Sequence, residues 1–353
     1  MTTGPLSGLS FVEMAGIGPA PFAAMVLADL GATGVRIESP VPRFPPLSAQ
    51  FDITRRGRPA MRLNLHVEAD LATARDLIAG ADLVIEGYRP GVMERLGLGP
   101  ADCFARNPKL VFGRVTGWGQ DGPFALRAGH DLDFIAAAGV LAHLGRRGQP
   151  PTPPQNLVAD YGGGAMLLLV GVLAALWETQ RSGMGQVVDA AMVDGSALLT
   201  SMMRSLAAQG MWSPDIGVNI LDSGAPFYDV YATADGKWLA VACLESGFFA
   251  EFVRVCGLET SWLERQYDPS CWDQLRKVIA EVIATRTQDS WAGVFAEIDA
   301  CVAPVLTMDE APLHPQLAYR QTFVTIDGQV QPAPAPRFSR TPARLKSDQS
   351  PGD

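Results

Sequence analysis

Short apolar segments and amphipathic segments alternate along the N-terminal third of the chain, and this alternation restricts the fold more than any other feature. The amphipathic segments Phe22–Leu30 and Leu71–Ala79 have the apolar spacing of helices. The segments typical of strands are Leu9–Met14, Val35–Ile37, Asp82–Ile85 and Leu110–Thr116. Strands separated by helices of about ten residues are joined by right-handed crossovers, which place neighbouring strands parallel. We therefore predict an α/β fold with a parallel sheet.

The predicted sheet also indicates where a ligand would bind, because ligands lie outside the carboxyl ends of parallel strands. The loops that follow the strands are Ala15–Pro21, Glu86–Arg89 and Gly117–Pro123. The first loop lacks the third glycine of the dinucleotide-binding fingerprint, and Pro19 and Pro21 remove backbone N–H groups that would hold a pyrophosphate. The loops thus favour a ligand site and disfavour a nicotinamide enzyme.

The pattern changes in the C-terminal half, which indicates a second domain. Residues 161–179 predict a buried helix, and Val193–Ala208 predicts another. Residues 209–224 have no clear period and predict a linker. The turn Asp235-Gly236 lies between two strand-like runs, which is a strong hairpin signal. The predicted division is a large domain over 1–208, a linker over 209–224 and a smaller α+β domain over 225–305.

Composition excludes several classes of partner. The chain has 28 Lys and Arg against 37 Asp and Glu, a net charge of −9, so we expect no nucleic acid and no membrane as partner. The longest apolar run, Ala165–Trp177, is too short to span a bilayer. The 5 cysteines and 4 histidines are scattered, which disfavours a metal site. We expect a cytoplasmic enzyme that binds no metal.

Three ionisable residues are candidates for chemistry. His130 follows a glycine-rich loop, from which an imidazole can reach a ligand; a structural histidine is the alternative. Asp160 precedes an apolar helix, as a helix cap, a functional carboxylate or both. The glycines at 162–164 would destabilise that helix by about 1 kcal/mol each, which indicates that a ligand approaches the backbone there. Glu245 ends a strand-like run, where a carboxylate is usually only solvated.

Several arginines are candidates for holding phosphate, since a guanidinium binds phosphate bidentately. Arg89 and Arg95 follow the strand-like segment Asp82–Ile85, at the expected ligand edge. A plain surface arginine is the alternative for each of them. The one basic cluster of this acidic chain consists of Arg55, Arg56, Arg58 and Arg62.

Seven motifs, in this order, together resemble the class III CoA-transferase superfamily and, within it, the α-methylacyl-CoA racemase branch. They are Leu9–Met14 with its Gly/Pro loop, Asp29–Ala32, Arg36–Glu38, Glu86–Gly91, Thr116–Gln120, Ala128–Asp131 and Val187–Met192. The resemblance covers nearly the whole chain. It implies a Rossmann-like large domain, a smaller domain, and a C-terminal arm over 306–353 that returns to the large domain. It also implies an interlocked homodimer with each site at the dimer interface.

The resemblance further implies roles for individual residues. His130 corresponds to the family's racemase histidine, Asp160 to its paired aspartate and Glu245 to the carboxylate that supports the histidine. Transferases of the superfamily usually carry an aromatic residue where His130 stands, which favours racemisation. The expected CoA contacts are Arg36, Leu63, Asn64, His66, Gly87, Tyr88, Arg89, Arg95, Gly129, Asp131 and Phe134.

Two positions depart from the family pattern. Asn64-Leu65-His66 stands where racemases often have Asp-Leu-Lys, and Ser39 stands where a second basic residue can occur. A lysine–phosphate contact is therefore lost. We expect the ADP end of CoA to be held differently here, with Arg58 or Arg62 as candidates.

The chemistry of racemisation explains why two acid/base groups are needed. The α-proton leaves one face of the carbon and returns to the other, so His130 and Asp160 would flank that carbon. We expect burial to raise the pKa of Asp160 in the liganded site, and the backbone of Asp160–Gly162 to stabilise the enolate oxygen. No cofactor is required, because CoA is part of the substrate.

Two other functions remain open from the sequence. A class III CoA-transferase would use Asp160 as a nucleophile and form a mixed anhydride. A CoA-thioester-binding protein would bind without catalysis. A set of methionines at near-helical spacing is adaptable enough to line an acyl pocket, although ordinary core packing is the favoured interpretation: Met192, Met202, Met203 and Met211.

Overall fold

A computed structural model describes residues 4–41, 48–343 and 345 of the chain. Residues 1–3, 42–47, 344 and 346–353, which fall within the predicted large domain and C-terminal arm, lie outside the described residues. The chain divides into two compact units. The first comprises Met1–Val140, Pro154–Ser201 and Arg320–Asp353, and the second comprises Leu141–Pro153 and Met202–Tyr319.

The first unit contains a six-stranded sheet in which every neighbouring pair of strands is parallel, with the order β3-β2-β1-β4-β5-β6. Its strands are β1 Ser10–Met14, β2 Thr33–Glu38, β3 Ala60–Arg62, β4 Leu83–Glu86, β5 Val111–Thr116 and β6 Val187–Ala191. The order reverses between β1 and β4, where an open α/β sheet binds ligands. The predicted α/β fold with a parallel sheet is confirmed.

Helices cover this sheet and continue into the second unit. They are α1 Pro19–Asp29, α2 Glu68–Ala79, α3 Val92–Arg95, α4 Pro100–Arg106, α5 Asp131–Ala137, a π-helix Leu157–Ala165, α6 Met166–Ser182, α7 Met192–Leu199, α8 Ser201–Ala208, α9 Ser246–Cys256, α10 Trp272–Ile283, α11 Gln288–Phe295 and α12 Pro315–Tyr319. Short 3₁₀ helices occupy Ile53–Arg55, Leu141–His143, Thr260–Arg265, Pro269–Cys271 and Ala311–Leu313.

The core of the first unit lies between the sheet and its helices. Every residue of β4 and β5 is buried, as expected for strands covered on both faces. Val12, Val84 and Phe112 of neighbouring strands pack with Leu71 and Ile78 of α2 in one apolar cluster. This packing fixes α2 on the sheet and leaves the loops at the carboxyl ends of the strands free to form a site.

The helix that we expected to be buried in the core is buried on one side only. Its inner face carries Leu168 and Val172, which lie against Gly113 of β5, whereas Val170 and Trp177 are more than half exposed. The continuous helix Leu157–Ser182 is long and apolar enough to cross a membrane, although the apolar run alone is not. Its packing on the sheet identifies it as a core helix with an unpartnered outer face.

The second unit is built on an antiparallel sheet of β7 Tyr228–Ala232, β8 Trp238–Ala242 and β9 Val302–Pro304. The hairpin between β7 and β8 turns at Asp235-Gly236, as predicted. Its core contains Phe227, Phe249, Phe252, Trp291 and further apolar residues of α9, α10 and α11.

The unit boundaries differ from the predicted domain boundaries at several places. Residues 209–224, expected to form a linker, belong to the second unit, where the buried Asp222 accepts hydrogen bonds from the backbone N–H groups of Gly217 and Asn219. A polar side chain that organises its own backbone gives no periodicity, so the sequence pattern does not reveal it. Residues 141–153 and 306–319 also belong to the second unit.

The C-terminal part of the first unit forms a hairpin of β10 Phe323–Ile326 and β11 Gln329–Pro332. Arg56 connects this hairpin to the N-terminal part of the same unit. Its guanidinium donates to Gln331 Oε1 (3.0 Å) and to the Pro332 carbonyl (2.7 Å), and pairs with Asp29. Arg56 is therefore a structural member of the basic cluster and is not free to hold a phosphate.

Candidate active site

Asp160 lies in the π-helix that precedes α6, a rare geometry that is often found at functional sites. Its side chain is partly buried, and its backbone N–H donates to Asp131 Oδ2 (2.8 Å). The N–H of Ala159 donates to the same oxygen (2.7 Å). Asp160 therefore does not cap the helix; Asp131 does. The same bonds exclude the Asp160 N–H from the predicted role of stabilising an enolate oxygen.

The three glycines after Asp160 serve helix packing, which corrects the expectation that a ligand approaches them. A Cβ atom on Gly163 would lie 2.7 Å from the Ser196 nitrogen, and one on Gly164 would lie 2.8 Å from Met192 Cγ. A Cβ atom on Gly162 would lie 3.3 Å from Leu199 Cδ1. All three glycines therefore allow α7 to approach the π-helix closely.

The carboxylate of Asp160 lies against the loop that joins β1 to α1. A Cβ atom on Gly18 would be 3.0 Å from Asp160 Oδ2, and Gly18 has a φ of 68°, which favours glycine. Asn156 Nδ2 donates to the same carboxylate oxygen (3.3 Å). Gly18 thus keeps the space beside the carboxylate open.

Burial raises the pKa of Asp160 above its usual value, and this is the largest of the effects on the group. The hydrogen bond from Asn156 lowers the pKa, the charge of Asp131 raises it and the charge of His130 lowers it. A higher pKa makes a carboxylate a better proton acceptor and makes its acid form more abundant near neutral pH. The direction agrees with the one that we predicted for the liganded site.

His130 ends the glycine-rich loop and precedes the first turn of α5, so it lies at the boundary of a helix and not within an irregular loop. Its N–H donates to Asp133 Oδ2 (2.9 Å), and its side chain is exposed. Because the charge of His130 acts on Asp160, the structure brings the two candidate bases to one place in the first unit.

Phe134 supports the loop that carries His130. Its ring is buried and lies edge-on to Trp118, with centroids 5.0 Å apart. A Cβ atom on Gly117 or Gly129 would lie 2.0 or 2.7 Å from this ring. The two glycines thus let the loop close over Phe134, which leaves the phenyl ring beneath the loop and not on a ligand-facing surface.

The loop after β4 lies beside the first turn of α1. A Cβ atom on Gly87 would lie 3.4 Å from Ala20 Cβ, so Gly87 allows this close approach. The N–H of Tyr88 donates to Glu86 Oε2 (2.7 Å). The loops of β1 and β4 therefore meet at the position where the strand order reverses.

Arg89 and Arg95 follow β4 and are exposed. Neither guanidinium has an acidic partner within ion-pair distance in the part of the chain that the structure describes. Arg62, at the carboxyl end of β3, is also exposed and unpaired among the described residues. These three side chains are free to meet the phosphates of a ligand.

Arg36 and Arg58 are placed differently from these free arginines. Both are buried and both pair with Glu13, which is itself fully buried. Arg58 donates in addition to the carbonyls of Thr54 (2.7 Å) and Arg56 (2.8 Å). Because Arg58 has its donors satisfied inside the protein, it is unsuited to the phosphate contact that we considered for it. Arg36 also pairs with Glu38, and its expected CoA contact remains a prediction.

The other residues expected to contact CoA lie mainly on the same edge of the sheet. Asn64 and His66 follow β3 and are exposed, while Leu63 is buried in the core of the unit. The N–H of Asn64 donates to Asp70 Oδ2 (2.7 Å), which holds this strip against the start of α2. The contacts themselves remain predictions.

Glu245 belongs to the second unit, whereas His130 and Asp160 belong to the first. It is exposed and directly precedes α9. Its predicted support of His130 remains a prediction.

Sequence reasoning missed two residues of this site. Gly18 was not singled out, although a glycine directly before Pro19 at the start of a helix is a signal of a special backbone conformation. Asp131 was assigned to CoA, and its capping of the π-helix was not foreseen, since residues 131 and 159 are far apart in the chain.

The methionines divide between two environments. Met192 is buried against the π-helix, in agreement with core packing, whereas Met202 and Met211 are exposed. For metals, no group of three or more potential ligands occurs within residues 4–41, 48–343 and 345.

The fold and this site define a class of protein: an α/β enzyme with an acid/base pair at the switch point of a parallel sheet. The family model for CoA-transferase family III matches residues 6–352. The chain belongs to this family.

Named relatives and a solved structure agree with the assignment. The chain is 42% identical to the α-methylacyl-CoA racemase of Mus musculus, over 99% of this chain and 91% of the relative. It is 40% identical to the α-methylacyl-CoA racemase of Homo sapiens, over 96% and 87%. It is also similar to a crystal structure of a CAIB/BAIF family protein from Brucella suis, with a TM-score of 0.83, 25% identity, and coverage of 98% of this chain and 95% of that one.

Proposed function

We propose that this chain is a racemase that interconverts the R and S forms of α-methylacyl-CoA thioesters. The observation that carries the proposal is the juxtaposition of His130 and Asp160 at one edge of the sheet. The identity of 40–42% with two α-methylacyl-CoA racemases supports the same function over that of a transferase.

The two residues divide the proton transfer between them. In one direction His130 takes the α-proton while protonated Asp160 donates a proton to the opposite face of the planar enolate. In the other direction the ionised Asp160 takes the proton and the imidazolium donates. An unperturbed histidine titrates near pH 6.5, and burial raises the pKa of Asp160 towards it. Groups of closer pKa exchange roles more readily, as a reversible racemase requires.

The CoA moiety lies along the carboxyl edge of the sheet, beside the switch point between β1 and β4. Arg89, Arg95 and Arg62 bind its phosphates, and His66, Asn64, Gly87, Tyr88 and Gly129 line its path. Support comes from the exposure of the three arginines and from the lack of acidic partners among the described residues. Buried Phe134 and Leu63 support the loops from below.

The active enzyme is an interlocked homodimer in which Glu245 supports His130. An outer helical face with Val170 and Trp177 exposed at 62% and 65% is typical of surfaces that a partner covers. Met166, on the same helix, is 47% exposed. We place the enzyme in the cytoplasm and in lipid metabolism, acting on acyl chains attached to CoA.

Exchange of the α-proton with solvent tests the proposal. The protein is incubated in D₂O with (R)- and (S)-2-methylacyl-CoA, and both deuterium incorporation and loss of chirality are measured. Racemisation predicts both from either enantiomer. A transferase would instead form an adduct at Asp160 that hydroxylamine traps. Such an adduct without exchange, or tight binding with neither, would overturn the proposal.

A further inference from the structure

One aspartate joins the two segments that carry the candidate bases. Asp131 follows His130 directly and is 4% exposed. Its Oδ2 accepts the N–H groups of Ala159 (2.7 Å) and Asp160 (2.8 Å). The residue after one base therefore anchors the backbone of the other base across 29 positions of sequence.

We propose that Asp131 is a positioning residue that sets the placement of Asp160 relative to His130 by capping the π-helix. This inference rests on the proposed racemase function. The first N–H groups of a helix have no partner within it, and a carboxylate is well suited to accept them. Because His130 and Asp131 are consecutive, the path from one base to the anchor of the other passes through a single peptide unit.

Asp131 also acts through its charge. Its Oδ1 is buried and has no hydrogen-bond partner among the described residues. This negative charge raises the pKa of Asp160. The other groups near Asp160 are His130 at the start of α5 and Asn156 on the preceding turn, both of which lower that pKa, while α1 presents the uncharged Gly18.

The two effects of Asp131 can be separated by substitution. Asp131→Asn keeps an oxygen that can accept the two N–H groups and removes the charge. Asp131→Ala removes both the acceptor and the charge. Asp102→Asn is the matched control, because Asp102 is an exposed aspartate in the first turn of another helix, α4.

The expected result for Asp131→Ala is a fall in kcat of roughly 100-fold with a much smaller change in KM, as for a misplaced reacting group. In hydrogen–deuterium exchange, the peptide spanning residues 157–165 should exchange faster than in the wild type. Asp131→Asn should retain most of the protection. The limb of its pH–rate profile that depends on Asp160 should move to lower pH, since a charge that raises the pKa of Asp160 is gone.

The proposal is overturned if the 157–165 peptide of Asp131→Ala exchanges as slowly as that of Asp102→Asn, or if kcat is unchanged. It is also overturned if Asp131→Asn loses as much protection as Asp131→Ala. If Asp131→Ala does not fold, the pH profile of Asp131→Asn decides: an unshifted profile contradicts the proposal. Failure of the proposed function is distinguishable, because the wild type would then show no α-proton exchange while the protection of residues 157–165 is still measurable.

Discussion

The backbones of Gly163 and Gly195 touch. A Cβ atom on Gly195 would lie 2.0 Å from the Gly163 carbonyl oxygen, closer than a methyl group can come. This contact lets α7 pack on the π-helix that carries Asp160. The glycine-rich sequence around Asp160 therefore serves the scaffold of the site and not direct contact with substrate.

Gly195→Ala should destabilise the protein for this reason. Overpacking costs about 1–3 kcal/mol, more than the about 1 kcal/mol that alanine gains over glycine within a helix. We expect a lower free energy of unfolding in urea and a lower kcat. Gly293→Ala is the control, because a Cβ atom there meets nothing within 4 Å and lies in helix α11. Equal stability of the two variants would contradict the packing argument.

The buried carboxylate of Asp160 should reduce stability at neutral pH. A pKa raised in the folded state means that the native protein holds the proton more tightly than the unfolded chain. Stability therefore falls as pH rises through the unfolded value of 3.8 and on through the raised folded value. Asp160→Asn should unfold at higher urea concentration than the wild type at pH 7, and the difference should shrink as the pH falls towards 3.8.

The control for this pH dependence is again Asp102→Asn, in which an exposed aspartate is replaced. It should show little difference from the wild type at any pH. A stabilisation by Asp160→Asn that stays constant from neutral pH to the acid range would count against desolvation as its cause.

Removal of Arg89 or Arg95 should weaken the binding of CoA. Hydrogen bonds to charged groups contribute about 1.5–3 kcal/mol, so KM for an acyl-CoA should rise about tenfold or more. The matched control is Arg75→Ala, since Arg75 is paired with Glu68 on α2. An acyl-pantetheine thioester lacks the ADP phosphates, and on it the two variants should resemble the wild type. An equal defect on both substrates would show that the arginines do not bind these phosphates.

The first half of the fold could be predicted because its signals are local. Strands β1, β2, β4 and β5 and the helices between them follow apolar spacing, and loop position follows from parallel strands. Helix α5 was missed because its first turn follows a loop rich in glycine, and Phe134, which organises that loop, acts through contacts that spacing does not reveal.

The site was predictable as a set of residue types but not as a set of pairings. Arg36 was expected to contact CoA, and its burial with Glu13 depends on the register of β1 against β2, in which the two residues are opposite each other. The capping of Asp160 by Asp131 depends on how α5 and the π-helix pack. Long-range pairings of this kind cannot be read from one sequence.

The most direct test of the account is the loss of one base at a time. Initial rates of α-proton exchange in D₂O are measured for His130→Ala and for Asp160→Asn with each enantiomer of 2-methylacyl-CoA. Each variant should lose about 10²–10⁴-fold in rate. His130→Ala should lose more with one enantiomer and Asp160→Asn more with the opposite one, because each base takes the proton from its own face. Equal residual rates with both enantiomers in both variants would contradict the two-base mechanism.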